Sequence, residues 1–267
     1  MARRAHVNHG DVGRIWDENA AAWTRLTRMG CDLLRDYVNT PAFLEVLPEV
    51  AGLHGLDIGC GEGYNTRLVA GKGARMTAFD ISRIFVQQAH AYERDLPLYI
   101  SYLRASAVEL PFAAESFDFA MATMSFMDMP EHERVMPEVH RVLKPGGFLQ
   151  FSISHPCFAT PRWKWILDEE GNRIAMECGD YFQELHGEME QWIFSNTPEE
   201  LKAELPEFRI PRFTRTLSAW LNLLLDAGFA IERLAEPCAS DEALARQPGL
   251  ADSRVIAYTL IVRCRRA

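Results

Sequence analysis

Gly55-Leu56-Asp57-Ile58-Gly59-Cys60-Gly61-Glu62-Gly63-Tyr64-Asn65 has the form of a short buried strand running into a glycine-rich turn. A helix is predicted beyond it, from Thr66 to about Lys72. Glycines at alternate positions weaken a strand or a helix interior. They suit a backbone that must turn sharply and pass within contact distance of a ligand, with free helix N–H groups behind it. The pattern therefore points to a nucleotide-type site at the carboxyl end of a first parallel strand.

The dinucleotide fingerprint wants its third glycine three residues after the second, and Tyr64 stands there instead. Met76-Thr77-Ala78-Phe79-Asp80 reads as the next strand, closed by an acid that can accept hydrogen bonds from both hydroxyls of a ribose. Three motifs stand in order: LDIGCGEG at 56–63, TAFD at 77–80 and VLKPGGFLQFS at 142–152. Over roughly residues 53–153 the chain resembles the class I S-adenosylmethionine-dependent methyltransferases, nearest to their small-molecule, UbiE-type branch.

That resemblance implies S-adenosylmethionine as cofactor and an α/β fold. The fold so implied is a Rossmann-like, seven-stranded, mostly parallel sheet with an antiparallel last strand and helices on both faces. It also implies roles. Gly59, Gly61 and Gly63 would let the backbone approach the methionine end of the cofactor, near the amides of Cys60, Glu62 and Tyr64, with Asn65 a further cofactor contact. Asp57 would orient the turn and face the amino-acid part, and Asp80 would hold the ribose. Ser106 stands where the family usually has an aspartate for the adenine amino group. Ala107 and Val108 would sandwich the adenine against Ile81, and Met124 and Ser125 would face the sulfonium and ribose. Cys60 needs no catalytic role, because methyl transfer uses no thiol nucleophile.

The chain has 267 residues, 48% of them hydrophobic, and a net charge of −9. That is ample for one sizeable α/β domain. The acidic balance disfavours nucleic acid and anionic membranes as partners. Basic clusters stand only at Arg3-Arg4 and from Arg263 to Arg266, and read as solvated tails. No apolar run approaches the ~20 residues of a membrane span, and the start lacks an apolar signal segment. Six scattered cysteines without zinc spacing give no metal site and fit a reducing cytoplasm.

Residues 1–10 read as disordered. From Asp11, a plausible N-cap, to about Pro48 the apolar residues recur at helical spacing. Strand and helix then alternate to Phe148–Ile153, and again from Leu217 to Val262. Between them, about 155–215 reads as an irregular insertion rich in aromatic residues. The resulting division is an N-terminal helical lid at 1–50 and a methyltransferase domain at 51–267 carrying a lid insertion.

Trp16 and Trp23, whose surroundings resemble the lid-helix start of small-molecule methyltransferases, are candidate acceptor contacts or ordinary core packing. Trp163 and Trp165 of the insertion are further candidates. His155, at the carboxyl end of Phe148–Ile153 and followed by Pro156, is the candidate catalytic base and acceptor contact, or only caps the strand end. The chain lacks the Asn/Asp-Pro-Pro-aromatic motif of nucleic-acid amino-methyltransferases after its fourth strand. A small, apolar or aromatic acceptor is therefore expected. Two alternatives stay open: a module that binds the cofactor without catalysis, and a nicotinamide-dependent oxidoreductase.

Overall fold

A chain whose strands are apolar on both sides must cover both faces of its sheet with helices. In the computed structural model, which describes residues 7–267, that is the arrangement. The N-terminal part holds α1 (His9–Arg28), a π-helical turn (Arg35–Asn39) and α2 (Thr40–Val46). Then follow β1 (His54–Ile58), α3 (Tyr64–Gly71), β2 (Arg75–Asp80), α4 (Arg83–Asp95), β3 (Ser101–Arg104) and β4 (Phe117–Thr123). A 3-10 turn (Phe126–Asp128) leads to α5 (His132–Val142) and β5 (Leu143–Ser154).

The insertion supplies β6 (Arg162–Leu167), β7 (Arg173–Gly179), β8 (His186–Trp192), α6 (Glu199–Glu204) and β9 (Phe208–Phe213). The chain closes with α7 (Leu217–Asp226), β10 (Phe229–Ala235), α8 (Asp241–Arg246), a 3-10 stretch (Pro248–Arg254) and β11 (Thr259–Arg266).

The main sheet is seven-stranded in the order β10-β11-β5-β4-β1-β2-β3. β1 pairs in parallel with β2 and β4, and β11 pairs antiparallel with both β5 and β10. The order reverses at β1 and β4, which opens a crevice at their carboxyl ends where a ligand can enter.

Side chains alternate across the sheet. Leu56, Ile58, Leu149, Phe151 and Ile153 face one layer together with Val135 and Val139 of α5 and Trp220 of α7. Met76, Ala78, Phe119 and Met121 face the other, with Phe43, Val69 and Ala89. Each large apolar side chain so buried stabilises the fold by about 1.5–3 kcal/mol.

Several expectations need correction. Within the described residues α1 begins at His9, and Asn8 is its N-cap; Asp11 is the third helical residue and completes a reciprocal capping box. Residues 1–6, including Arg3-Arg4, lie outside the described residues. Arg263, Arg265 and Arg266 are no solvated tail: they sit on β11, where Arg263 and Arg265 pair with Glu232 and Arg266 with Glu115.

The insertion is not irregular. It folds as two antiparallel hairpins, β6–β7 and β8–β9. Its second hairpin shares an apolar core with the N-terminal segment: Leu26 and Cys31 pack with Phe194, Leu201, Phe208 and Ile210. Trp23 touches Trp192, Phe194 and Phe208 at ring-centroid distances of 5.6, 4.9 and 4.9 Å. Segments far apart in sequence thus roof the crevice together.

Candidate active site

β1 delivers its chain end into the turn Gly59–Gly63, whose glycines all adopt positive φ. The amides of Gly59 and Cys60 both donate to the Phe79 carbonyl, which locks the turn onto β2. A side chain at Gly61 (φ +56°) would meet nothing within 4 Å, so that backbone face opens into a cavity. At Gly63 (φ +88°) an added Cβ would stand 2.5 Å from the Tyr102 hydroxyl, so this glycine serves packing and does not line the cavity.

Asp80 closes β2 with its carboxylate engaged on two sides. The Gly61 amide donates to one oxygen at 2.9 Å and the Ser82 amide to the other at 2.8 Å. Burial nevertheless pushes its pKa up to about 6. Asp57 is fully buried beneath the turn, outside the cavity wall, and accepts a 2.6 Å bond from the Thr66 hydroxyl. Its other oxygen has no partner, and burial raises its pKa to about 7. Through Thr66 it braces α3 against β1.

The end of β4 forms the opposite rim. Met124 takes a left-handed conformation (φ +52°), which for a non-glycine residue costs about 1–3 kcal/mol unless neighbours impose it. Here the Met124 amide donates to the Ser152 carbonyl and hydroxyl. The Ser125 hydroxyl donates to the Ile58 carbonyl at 2.7 Å, tying this rim to β1 beside Gly59.

The cavity has a volume of about 450 Å³. Of the residues singled out from the sequence, Gly59, Cys60, Gly61, Tyr64, Asn65, Asp80, Ile81, Ser106, Ala107, Val108, Met124, Ser125, Trp16 and Trp23 line it. Ile81, Ala107 and Val108 form an apolar slot beside Asp80 suited to a planar base. Asn65 is fixed between the hydroxyls of Thr40 and Thr123, at 3.0 and 2.9 Å.

α1 lies over the strand ends. Asp17 accepts from the Ser82 hydroxyl at 2.7 Å and the Ile84 amide at 3.0 Å, and Arg28 pairs with the buried Glu62 at 3.2 Å.

His155 is not brought to the cavity. It is 3% exposed; Nε2 lies 2.7 Å from Glu236 Oε1, and Nδ1 accepts from the Cys157 amide at 3.2 Å. Pro156 turns the chain, the amides of Phe158 and Ala159 close on the His155 carbonyl, and the ring is folded inside that turn. Both ring nitrogens are committed, so the expected base is a structural cap.

Trp163 and Trp165 are also displaced, since β6–β7 stands outside the roof. Trp163 is 54% exposed, and Trp165 carries the Arg173 guanidinium at 5.0 Å. The hairpin that does reach the cavity is β8–β9, through Glu190, Trp192, Ile210 and Arg212.

Sequence reasoning also missed Asn39, Arg35, Asp32 and Asp128, all of which line the cavity. Asn39 ends the π-helical turn with both amide atoms buried and unpartnered. No spacing rule marks a π-turn. Asp128, by contrast, carried a signal that went unread, an acid among methionines 124, 127 and 129.

An adenosyl sulfonium amino acid fits these residues. Gly61 leaves room where a Cβ would intrude, Asp80 offers a carboxylate, and the apolar slot takes a base. The orphaned Asn39 amide, with Arg35 and Asp32 beside it, could pair an amino-acid zwitterion.

A model of the methyltransferase domain matches residues 56–151. A solved S-adenosylmethionine-dependent methyltransferase from Mesorhizobium loti is 32% identical, over 85% of this chain and 96% of that one, with a TM-score of 0.69. Curated relatives include an O-methyltransferase of Penicillium expansum, 30% identical over 59% of this chain and 64% of its own. The 27-O-demethylrifamycin SV methyltransferase of Amycolatopsis mediterranei is 33% identical over 54% and 49% respectively. The matched part thus spans about half to two thirds of those curated proteins. By motif, fold and these likenesses, the chain belongs to the class I S-adenosylmethionine-dependent methyltransferases.

Proposed function

We propose that this protein transfers a methyl group from S-adenosylmethionine to a small acceptor with a flat, apolar or aromatic body. One observation carries the reading. A single cavity joins the glycine turn and Asp80 to a chamber walled by Trp16, Trp23, Trp192, Met127, Met129 and Ile210. The names of two relatives, an O-methyltransferase and a 27-O-demethylrifamycin SV methyltransferase, agree with it.

Asp80 accepts hydrogen bonds from the ribose hydroxyls, Ser106 contacts the adenine edge, and Ile81, Ala107 and Val108 hold its faces. Arg35, Asp32 and Asn39 take the amino-acid end, with the helix amides of Tyr64 and Asn65. When bound, the cofactor supplies an electrophilic methyl group with a good leaving group already attached. The chain's part is then alignment and exclusion of water.

α1 and the β8–β9 hairpin act as the lid, held shut by their shared aromatic core and by Arg28–Glu62. Six unpaired cysteines agree with a reducing, cytoplasmic setting. Among the described residues no helix is long and apolar enough to cross a membrane.

The test is incubation with methyl-labelled S-adenosylmethionine and the low-molecular-weight fraction of a cell extract, beside total RNA and protein. Label is expected in small apolar products; label in macromolecules alone would refute the reading.

A further inference from the structure

Among the described residues five carboxylates line the cavity: Asp32, Glu62, Asp80, Asp128 and Glu190. Four of them are engaged. Asp32 accepts from the Arg35 amide at 3.0 Å, Glu62 from Arg28 at 3.2 Å, Asp80 from two amides, and Glu190 from Arg212 at 2.9 Å. Asp128 is 8% exposed, and among the described residues no hydrogen bond reaches its carboxylate. A largely buried carboxylate without a protein hydrogen bond is unfavourable, and because Asp128 lines the cavity, a ligand there can supply the partner.

Its position is equally particular. Asp128 ends the 3-10 turn that follows β4, three residues beyond Ser125, whose hydroxyl is tied to β1 beside the glycine turn. The Asp128 amide donates to the Ser125 carbonyl at 3.1 Å, which anchors Asp128 to the rim built by Met124 and Ser125. Met127 and Met129, its sequence neighbours, line the same cavity with Trp192.

We propose that Asp128 is a catalytic residue that takes a proton from the acceptor, which is therefore a hydroxyl or amine carried on a flat apolar body. The Arg212–Glu190 pair from the β8–β9 hairpin closes this end of the cavity over it. The proposal rests on the methyltransferase reading and names the acceptor class for the same site. In the step, a lone pair on the acceptor's oxygen or nitrogen forms the bond to the methyl carbon. The carbon–sulfur bond breaks and leaves its electron pair on sulfur. The acceptor's proton passes to an Asp128 oxygen, so charge and atoms balance.

The surroundings suit a base working near neutrality. Burial pushes the Asp128 pKa up to about 7, with Glu190 adding to the rise and the Arg212 guanidinium opposing it. A base is most effective with its pKa near the working pH. The other titratable groups on this side are occupied. His9 of α1 bonds Glu131 at 3.0 Å. His132 of α5 is bonded to the Phe126 carbonyl, and burial holds its pKa down to about 4, so it is neutral. Arg215 bonds His132 and Glu133. β5 lines the cavity with Ser154, and the Tyr258 hydroxyl donates to Asp252 at 2.8 Å.

The experiment compares the wild-type chain with Asp128→Asn and Arg212→Met. Calorimetry with S-adenosylhomocysteine should give the same affinity within about twofold for wild type and Asp128→Asn. A loss above about tenfold would put Asp128 in the cofactor half and overturn the proposal. Carbon-13 carboxyl NMR, taken as the difference between wild type and Asp128→Asn, should show a group titrating near pH 7. Its midpoint should rise in Arg212→Met; a midpoint near the ordinary ~3.9 would overturn the proposal.

With 2-naphthol, catechol and 1-naphthylamine as probe acceptors, Asp128→Asn should lower kcat about 10²–10⁴-fold and abolish the rise of rate with pH through neutrality. Wild-type kcat in the variant would refute it. If the wild-type protein methylates none of the probes, the flat-aromatic reading of the acceptor falls, and the carboxyl titration alone decides the role of Asp128.

Discussion

Replacing Gly61 or Gly63 by alanine separates the two duties of the glycine turn. Both residues have positive φ, +56° and +88°, where an L side chain costs roughly 1–2 kcal/mol. At Gly61 the new methyl meets no protein atom within 4 Å, so strain is the whole stability loss. That methyl projects into the cavity proposed to take the cofactor. Crowding a close-packed contact costs about 1–3 kcal/mol, so affinity for S-adenosylhomocysteine should fall roughly 5- to 150-fold. At Gly63 the methyl lands 2.5 Å from the Tyr102 hydroxyl and adds crowding inside the protein. Stability should fall by roughly 2–5 kcal/mol, or about 4–20 °C in Tm. Calorimetry and thermal unfolding of both variants make the comparison. A Gly61→Ala protein that binds like wild type, or a Gly63→Ala protein that melts like wild type, would refute this assignment of the turn.

Asp80→Ala removes a charged acceptor, worth about 1.5–3 kcal/mol, and should weaken S-adenosylhomocysteine binding roughly 10- to 150-fold in a folded protein; unchanged calorimetric affinity would sink its ribose role. His155→Asn should keep wild-type cofactor affinity and turnover while lowering Tm, because the ring joins Cys157 to Glu236 and does not line the cavity; a turnover loss of 10²-fold with an intact fold would restore it as a base. Asp57 supplies a pH prediction for the ligand-free protein. Its folded pKa, about 7, exceeds the unfolded ~3.9, so the folded state holds the proton longer and wild-type stability from this group declines as pH rises from 4 to 7. Asp57→Asn does not titrate and can still accept from Thr66. Its stability relative to wild type should therefore climb by at most about 1.4 kcal/mol per pH unit over that range and level off above it. A pH-independent difference in urea unfolding would contradict the burial of Asp57.

The parallel sheet was legible because its strands carry continuous apolar runs and its stops are glycine-marked. Asp80 and Gly61 were legible because a short, local turn chemistry dictates them. What escaped the sequence depends on contacts between distant segments. Nothing near His155 announces that Glu236 and Cys157 will occupy both its nitrogens. The choice between the tryptophans of the insertion turned on which hairpin packs under α1. Trp192 does so because Phe194 and Phe208 complete a core with Trp23, whereas Trp163 remains outside. The order of β6 to β9 was hidden by their short, charged strands, whose alternation is interrupted by proline and by register shifts. Asp128 could have been suspected, since an acid just past β4 within an apolar run needs a reason to be there.

The most direct test of the account is calorimetric titration of the wild-type protein with S-adenosylhomocysteine, with NADH as the control. The glycine turn, Asp80 and the apolar slot predict one binding site for S-adenosylhomocysteine and none for NADH. No heat with S-adenosylhomocysteine, or equal binding of NADH, would contradict it.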